Sequence, residues 1–212
     1  LAIALYRPGP MDSIPLFLSN RQNPDKVTYK CDALRDILSG TSGCIIYQEQ
    51  VMQICRTIAG FSFGRADIVR RAMSKKKSGE MAKEHDAFIY GEKDENGSIL
   101  CTGALAAGLS KEDAEEIFDN MASFAKYAFN KSHATAYAYI SYRTAYLKAH
   151  YPCEYFAALI SSVSDSLTKS ASYIEEAKKM RIQVLGPDIN ESRKTYHVTL
   201  GESGRKSVRF GL

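Results

Sequence analysis

No segment of this 212-residue chain approaches the roughly 20 consecutive apolar residues needed to cross a bilayer, so no membrane-spanning helix is expected. The opening Leu1-Ala2-Ile3-Ala4-Leu5 is too short for a signal-peptide core and has no basic start. The five cysteines, Cys31, Cys44, Cys55, Cys101 and Cys153, are odd in number, scattered and free of any CxxC pair. That pattern points to a reduced, cytoplasmic protein without a structural zinc. No two of His85, His133, His150 and His197 have helical metal-ligand spacing, which argues against a catalytic zinc. Neither a GxxxxGK[ST] loop nor a GxGxxG after a strand is present, so neither common nucleotide-binding fold is signalled. Ser132 precedes His133, but sequence neighbours on a helix point about 100° apart, which argues against a nucleophile and base pair. Internal repeats and low-complexity segments are absent.

What remains is an ordinary globular composition, 45% hydrophobic and 25% charged, with one unusual stretch. From Arg65 to Lys83 the cations Arg65, Arg70, Arg71, Lys75, Lys76, Lys77 and Lys83 face only Asp67 and Glu80, a local balance of +5. The whole chain carries +4, so the rest sums to −1 and the positive field is a patch, as expected for a phosphate-bearing ligand. Helical spacing places Ile68, Val69, Ala72 and Met73 on one apolar stripe and sets Arg70 and Arg71 on either side of the polar face. Paired guanidinium groups suit bidentate phosphate recognition, and Lys75, Lys76 and Lys77 suit a nucleic-acid backbone. The alternative is a solvated basic face that only aids solubility.

The pattern is mainly α. A turn is expected at Arg7-Pro8-Gly9-Pro10. Helices are expected from Gly43 to Gly60, from Gly64 to Lys77, from Ser78 toward Tyr90, and from a capping-box-like Ser110 with Ala114, Ile117, Phe118, Met121, Ala125 and Ala128 inward. Glu92 to Gly97 reads as a polar loop. A long helix follows Phe129-Asn130-Lys131-Ser132 and stops at Tyr151-Pro152, where another starts. One more covers about Ser170 to Met180, and short strands are expected beyond Ile182. The chain opens without Met on an apolar run and stops at Arg209-Phe210-Gly211-Leu212 within a strand-like segment, which reads as an excised region of a larger protein.

Asn130-Lys131-Ser132-His133 lies where one helix ends and the next begins, so backbone N–H groups project beside a Lys and a hydroxyl: a phosphate or nucleotide niche. On the following helix Tyr139, Tyr142 and Tyr146 share a face, with Tyr127 and Phe129 just before the break. Aromatics beside cations suit base stacking. A tyrosine stripe at helical spacing is more often core with its hydroxyls at the rim, and that reading is favoured for Tyr139, Tyr142 and Tyr146 but not for Tyr127.

Five segments, ALYRPGPM (Ala4 to Met11), IIYQEQVMQI (Ile45 to Ile54), ADIVRRAMSKKK (Ala66 to Lys77), FNKSHATAYAYISYRTAYLKAHYP (Phe129 to Pro152) and LGPDIN (Leu185 to Asn190), resemble the bacterial DNA polymerase III alpha subunit, the C-family replicative polymerases. They occur in that family's order and cover nearly the whole chain. The resemblance implies a helical fingers domain with a small mixed α/β piece at its C-terminus. Residues 1–20 would form the junction with the palm, 21–165 the helical core, and 166–212 a C-terminal subregion with short strands before the helix-hairpin-helix region.

By the same resemblance the reaction is template-directed nucleotidyl transfer, with magnesium held by palm aspartates upstream of Leu1. No catalytic residue and no metal ligand is therefore assigned here, and the chain alone is expected to be inactive. Arg70 and Arg71 are implied contacts to the incoming triphosphate, while Tyr127, Asn130, Lys131, Ser132 and His133 would wall the nascent base pair. Primer-template DNA, deoxynucleoside triphosphates and other replisome subunits are the implied partners, with no membrane. Two other readings remain open: a non-catalytic helical nucleic-acid-binding module, and a structural helical domain whose cations face partner subunits.

Overall fold

The computed structural model describes residues 1–7, 10–75, 78–125, 129–201 and 204–212, with no side chain described for 74–80 and 125–128. In chain order the elements are α1 (Ala2–Leu5), α2 (Ile14–Gln22), α3 (Asp32–Leu38), α4 (Gln48–Ala59), α5 (Phe63–Lys75), α6 (Ser78–Tyr90), β1 (Glu92–Lys93), β2 (Ile99–Cys101), α7 (Lys111–Ala125), α8 (Lys131–His150), α9 (Pro152–Ser161), α10 (Leu167–Lys179), β3 (Val184–Leu185), β4 (His197–Leu200) and β5 (Lys206–Arg209). The fold is mainly α with a small mixed piece at the C-terminus, as the sequence implies. Two compact units result, Leu1–Thr135 and Ala136–Leu212, with the division inside α8.

The first unit is built around α4. Its residues Val51, Ile54, Cys55 and Ile58 repeat at helical spacing and are buried, and Gly60 ends the helix in a left-handed conformation, φ +73°. Against α4 pack Val69 and Met73 of α5, Phe88 and Ile89 of α6, and Ile117, Phe118 and Met121 of α7. Phe88 is fully buried and meets Phe61 and Phe118 at ring-centroid distances of 6.3 and 5.4 Å. Burying one such side chain contributes roughly 1.5–3 kcal/mol. A smaller cluster joins Leu5, Phe17, Ile46, Tyr47, Phe129 and Ala134.

In the second unit Phe156 and Ile160 of α9 and Ala177 of α10 pack with Val208 of β5. The sheet order is β3-β5-β4, with β3 parallel and β4 antiparallel to β5.

Several boundaries differ from the periodicity reading. The first unit's central helix starts at Gln48 rather than Gly43, because residues 44–46 are not helical and Tyr47 is extended and bridges in parallel to Phe129. Gln50 holds that entry: its Oε1 accepts from the N–H groups of Ile46 (2.8 Å) and Tyr47 (2.9 Å), and its amide donates to the Thr41 hydroxyl at 2.7 Å. This buried amide is thereby satisfied. The expected polar loop at Glu92 to Gly97 is instead a hairpin, β1 against β2, whose turn is tied by Asp94 Oδ1 accepting from Asn96 and Ser98. The Ser110 cap is as expected, its hydroxyl accepting from Asp113 N–H at 3.0 Å. The α5 stripe runs through Ala66, Val69, Ala72 and Met73, while Ile68 is 60% exposed. The Pro8-Gly9 turn lies outside the described residues.

Candidate functional site

The basic stretch is not a uniform patch. Arg65 turns inward, pairing with Glu84 at 2.8 Å and Glu92 at 2.6 Å and lying over the Phe61 ring at 4.5 Å. Lys83 also reaches Glu92, at 3.2 Å. Arg65 first, then Lys83, holds the Glu92 carboxyl below its ordinary range. Counting Glu84, which follows Lys83 directly, and Glu92 lowers the local balance from +5 to +3. The positive field therefore contracts toward α5.

On α5 the two arginines differ. The Arg70 side chain is 19% exposed, with Nη1 donating to Gln48 Oε1 at 3.1 Å and Nε and Nη2 donating to Asp67 Oδ1 at 3.0 and 2.8 Å. Arg71 is 65% exposed and donates from Nη2 to Asp67 Oδ2. The Arg70 hydrogen bonds hold the Asp67 carboxyl below its ordinary range; partial burial opposes this and Arg71 adds to it.

The first turn of α4 joins this helix to α8. Gln48 N–H donates to Phe129 O and Phe129 N–H donates to Ile46 O, both at 3.0 Å. The neighbouring Glu49 carboxylate accepts the Lys131 backbone N–H with both oxygens at 3.0 Å. Asn130 Oδ1 accepts from His133 N–H at 2.8 Å as an N-cap. His133 packs edge-on against Phe129, centroids 5.3 Å apart, and Arg7 lies over the same Phe129 ring at 4.7 Å. Lys131 Nζ stands 5.9 Å from the Tyr47 ring.

Thus Arg70 and Lys131, about 60 positions apart in sequence, are held by two adjacent side chains, Gln48 on the Arg70 guanidinium and Glu49 on the Lys131 backbone N–H. Of the niche donors anticipated at the start of α8, those of Lys131 and His133 are engaged within the protein. Asn130, Lys131, Ser132 and His133 are exposed, so their side chains can meet a ligand. Tyr127, Lys76 and Lys77 lie outside the described residues, as does the side chain of Lys75. Tyr139, Tyr142 and Tyr146 are exposed rather than core, Tyr142 at 71%. Arg143 lies over the Tyr139 ring at 4.9 Å.

Sequence reasoning missed Gln48, Glu49 and Asp67 as parts of this site. Asp67 carries a usable signal: a carboxylate three and four residues before two arginines shares their helix face. Gln48 and Glu49 carry none, since their partners are distant in sequence. Among the described residues no group of three or more His, Cys, Asp or Glu is placed to hold a metal ion. The carboxylates of Asp67 and Glu49 are taken up by arginines and a backbone N–H. These residues do not fit a magnesium centre, and no metal-dependent step is assigned to them.

Residues 1–96 match the family profile of the bacterial DNA polymerase III alpha subunit finger domain. Over 209 residues the chain is 44% identical to the DNA polymerase III subunit alpha of Chlamydia trachomatis, covering 99% of this chain and 16% of that protein. The corresponding protein of Borreliella burgdorferi is 45% identical over 209 residues, 99% of this chain and 17% of its own length. That of Thermus aquaticus is 42% identical over 215 residues, again 99% and 16%. The chain belongs to the bacterial DNA polymerase III alpha subunit family, and it spans about one sixth of the length of these relatives. No helix among the described residues is long and apolar enough to cross a membrane.

Proposed function

We propose that this chain is the part of a bacterial replicative DNA polymerase that receives the incoming deoxynucleoside triphosphate and lies along the primer-template, acting in the cytoplasm with other replisome subunits. The observation that carries the reading is the exposed Arg71, presented from a helix whose opposite face is buried, beside an Arg70 whose guanidinium is tied to both Asp67 and Gln48. Phosphoryl-type transfer is mainly positioning and charge stabilisation, which such groups supply. Arg70 and Arg71 hold the triphosphate, and Tyr127, Asn130, Lys131, Ser132 and His133 line the nascent base pair. Residues 1–20 form the junction with the palm, 21–165 the helical core and 166–212 the C-terminal subregion.

Magnesium supplies the charge stabilisation of nucleotidyl transfer when bound, and its ligands lie in other parts of the full-length subunit. The purified 212-residue chain is accordingly expected to show no metal-dependent primer extension with primer-template and all four deoxynucleotides. Extension above a contaminant-free blank would defeat the assignment.

Lys75, Lys76 and Lys77 contact the DNA backbone. Replacing all three with alanine in the full-length subunit should reduce the magnitude of the slope of log affinity against log salt by about two to three, each lost phosphate contact counting for nearly one. An unchanged slope would move the DNA track elsewhere. A second reading, a non-catalytic nucleic-acid-binding module, would be favoured if DNA affinity were independent of a base-paired primer terminus and of the matching deoxynucleotide.

A further inference from the structure

The two arginines of α5 are held by one carboxylate. Asp67 lies one turn before them, so Arg70 at i+3 and Arg71 at i+4 share its face of the helix. Its Oδ1 accepts from Nε and Nη2 of Arg70 at 3.0 and 2.8 Å, and its Oδ2 accepts from Nη2 of Arg71. Asp67 is 22% exposed and Arg70 19%, whereas Arg71 is 65% exposed. Arg70 is also tied through Nη1 to Gln48 at 3.1 Å, on the helix whose next residue, Glu49, caps α8.

The sign of Asp67's contribution to anion binding can be argued in two ways. By charge alone it neutralises the patch, and removing it should draw a polyphosphate in more tightly. By preorganisation it does the reverse. An arginine has many rotamers, and a guanidinium already fixed in place loses less freedom when a ligand arrives. Half-buried groups with several short hydrogen bonds, as at Arg70, favour the second effect, since their geometry is set by the fold and not by solvent.

We propose that Asp67 is a positioning residue for the incoming nucleotide's polyphosphate: it sets the direction of the Arg71 guanidinium and locks Arg70 as a strut between α5 and α4. The inference rests on the reading of Arg71 as a nucleotide contact given above. Arg71 is then the exposed half of the grip on the triphosphate, and Arg70, fixed by Asp67 and Gln48, its rigid half.

The test uses the full-length alpha subunit with Asp67→Asn, Asp67→Glu and Arg71→Ala, measuring KM and kcat for the matching deoxynucleotide and, separately, primer-template affinity. Asp67→Asn keeps the shape and loses the charge. It is expected to raise the nucleotide KM about tenfold with primer-template affinity unchanged. Asp67→Glu, which can still reach both arginines, should bring KM most of the way back. KM does not depend on the fraction of enzyme that is folded, so a loss of stability alone would lower the apparent kcat and leave KM where it was. A KM that falls or stays constant in Asp67→Asn, while Arg71→Ala raises it, overturns the positioning role and leaves the nucleotide reading intact. An Arg71→Ala enzyme with normal nucleotide KM overturns the nucleotide reading itself, and the proposal with it.

Discussion

Replacing Gly103 with alanine is expected to abolish the cooperative folding of the first unit, or to destabilise it by more than about 4 kcal/mol. Gly103 has φ +81°, and a Cβ there would lie 2.3 Å from Gly91 N, 2.6 Å from Tyr90 C and 2.8 Å from Ile89 O. All three are backbone atoms, so no side chain can swing aside. The segment is also stitched in place: Gly103 N–H donates to Ala59 O at 3.0 Å, Ala104 N–H to Phe88 O at 2.8 Å and Leu105 N–H to Ile89 O at 3.2 Å. Any shift therefore pulls on the ends of α4 and α6, against which α5 packs. Gly97→Ala is the control, because Gly97 also has a positive φ, +80°, but open space around its Cβ position. It should cost only the left-handed penalty, about 1 kcal/mol. Urea unfolding followed by far-UV circular dichroism separates the two. Similar midpoints for the two variants would show that the close backbone approach at Gly103 relaxes at little cost.

Elements whose cause is local were legible in the sequence. The stripe Ile117, Phe118 and Met121 behind a Ser110 cap, the stop at Gly60, and the break at Tyr151-Pro152 each depend on residues within a turn or two. Elements fixed by distant partners were not. Tyr47 is extended because it bridges to Phe129, so helical periodicity through Gly43 to Gln48 could not reveal the true start. Arg65 counts as a surface cation in any sequence window, yet Glu84 and Glu92 draw it inward. The strands at Glu92–Lys93 and Ile99–Cys101 are too short to show a period of two. For the tyrosines of α8, spacing specifies which side chains share a face and says nothing about what covers that face. The candidate site follows the same division: the Arg70 and Arg71 pair and the helix junction at Asn130 to His133 stand out in sequence, whereas their link through the adjacent Gln48 and Glu49 is a tertiary event.

Arg71→Lys in the full-length subunit should lower kcat/KM for the incoming deoxynucleotide by about 1–3 kcal/mol in transition-state terms. The charge is retained. What is lost is the planar pair of donors, one edge of which Asp67 holds through Nη2. A lysine ammonium is a point charge on a flexible stem, so it can neutralise a phosphate without orienting it. The effect should fall on both KM and rate, because alignment of the polyphosphate matters more as charge builds in the transition state. Lys83→Arg serves as the control: Lys83 is 71% exposed and paired with Glu92 at 3.2 Å, and such surface pairs contribute little. Its kinetics should be those of the unmodified enzyme within about 0.5 kcal/mol.

The central claim is that α5 grips the incoming nucleotide through Arg71 and does not primarily hold duplex. Single-nucleotide incorporation by the Arg71→Lys enzyme, titrated with the matching deoxynucleotide and paired with an independent primer-template binding isotherm, tests it most directly. The account predicts a raised nucleotide KM and a lowered rate, with primer-template affinity within about twofold of the unmodified enzyme. Weakened primer-template binding with nucleotide kinetics intact would contradict it, and would reassign the helix to the template or duplex.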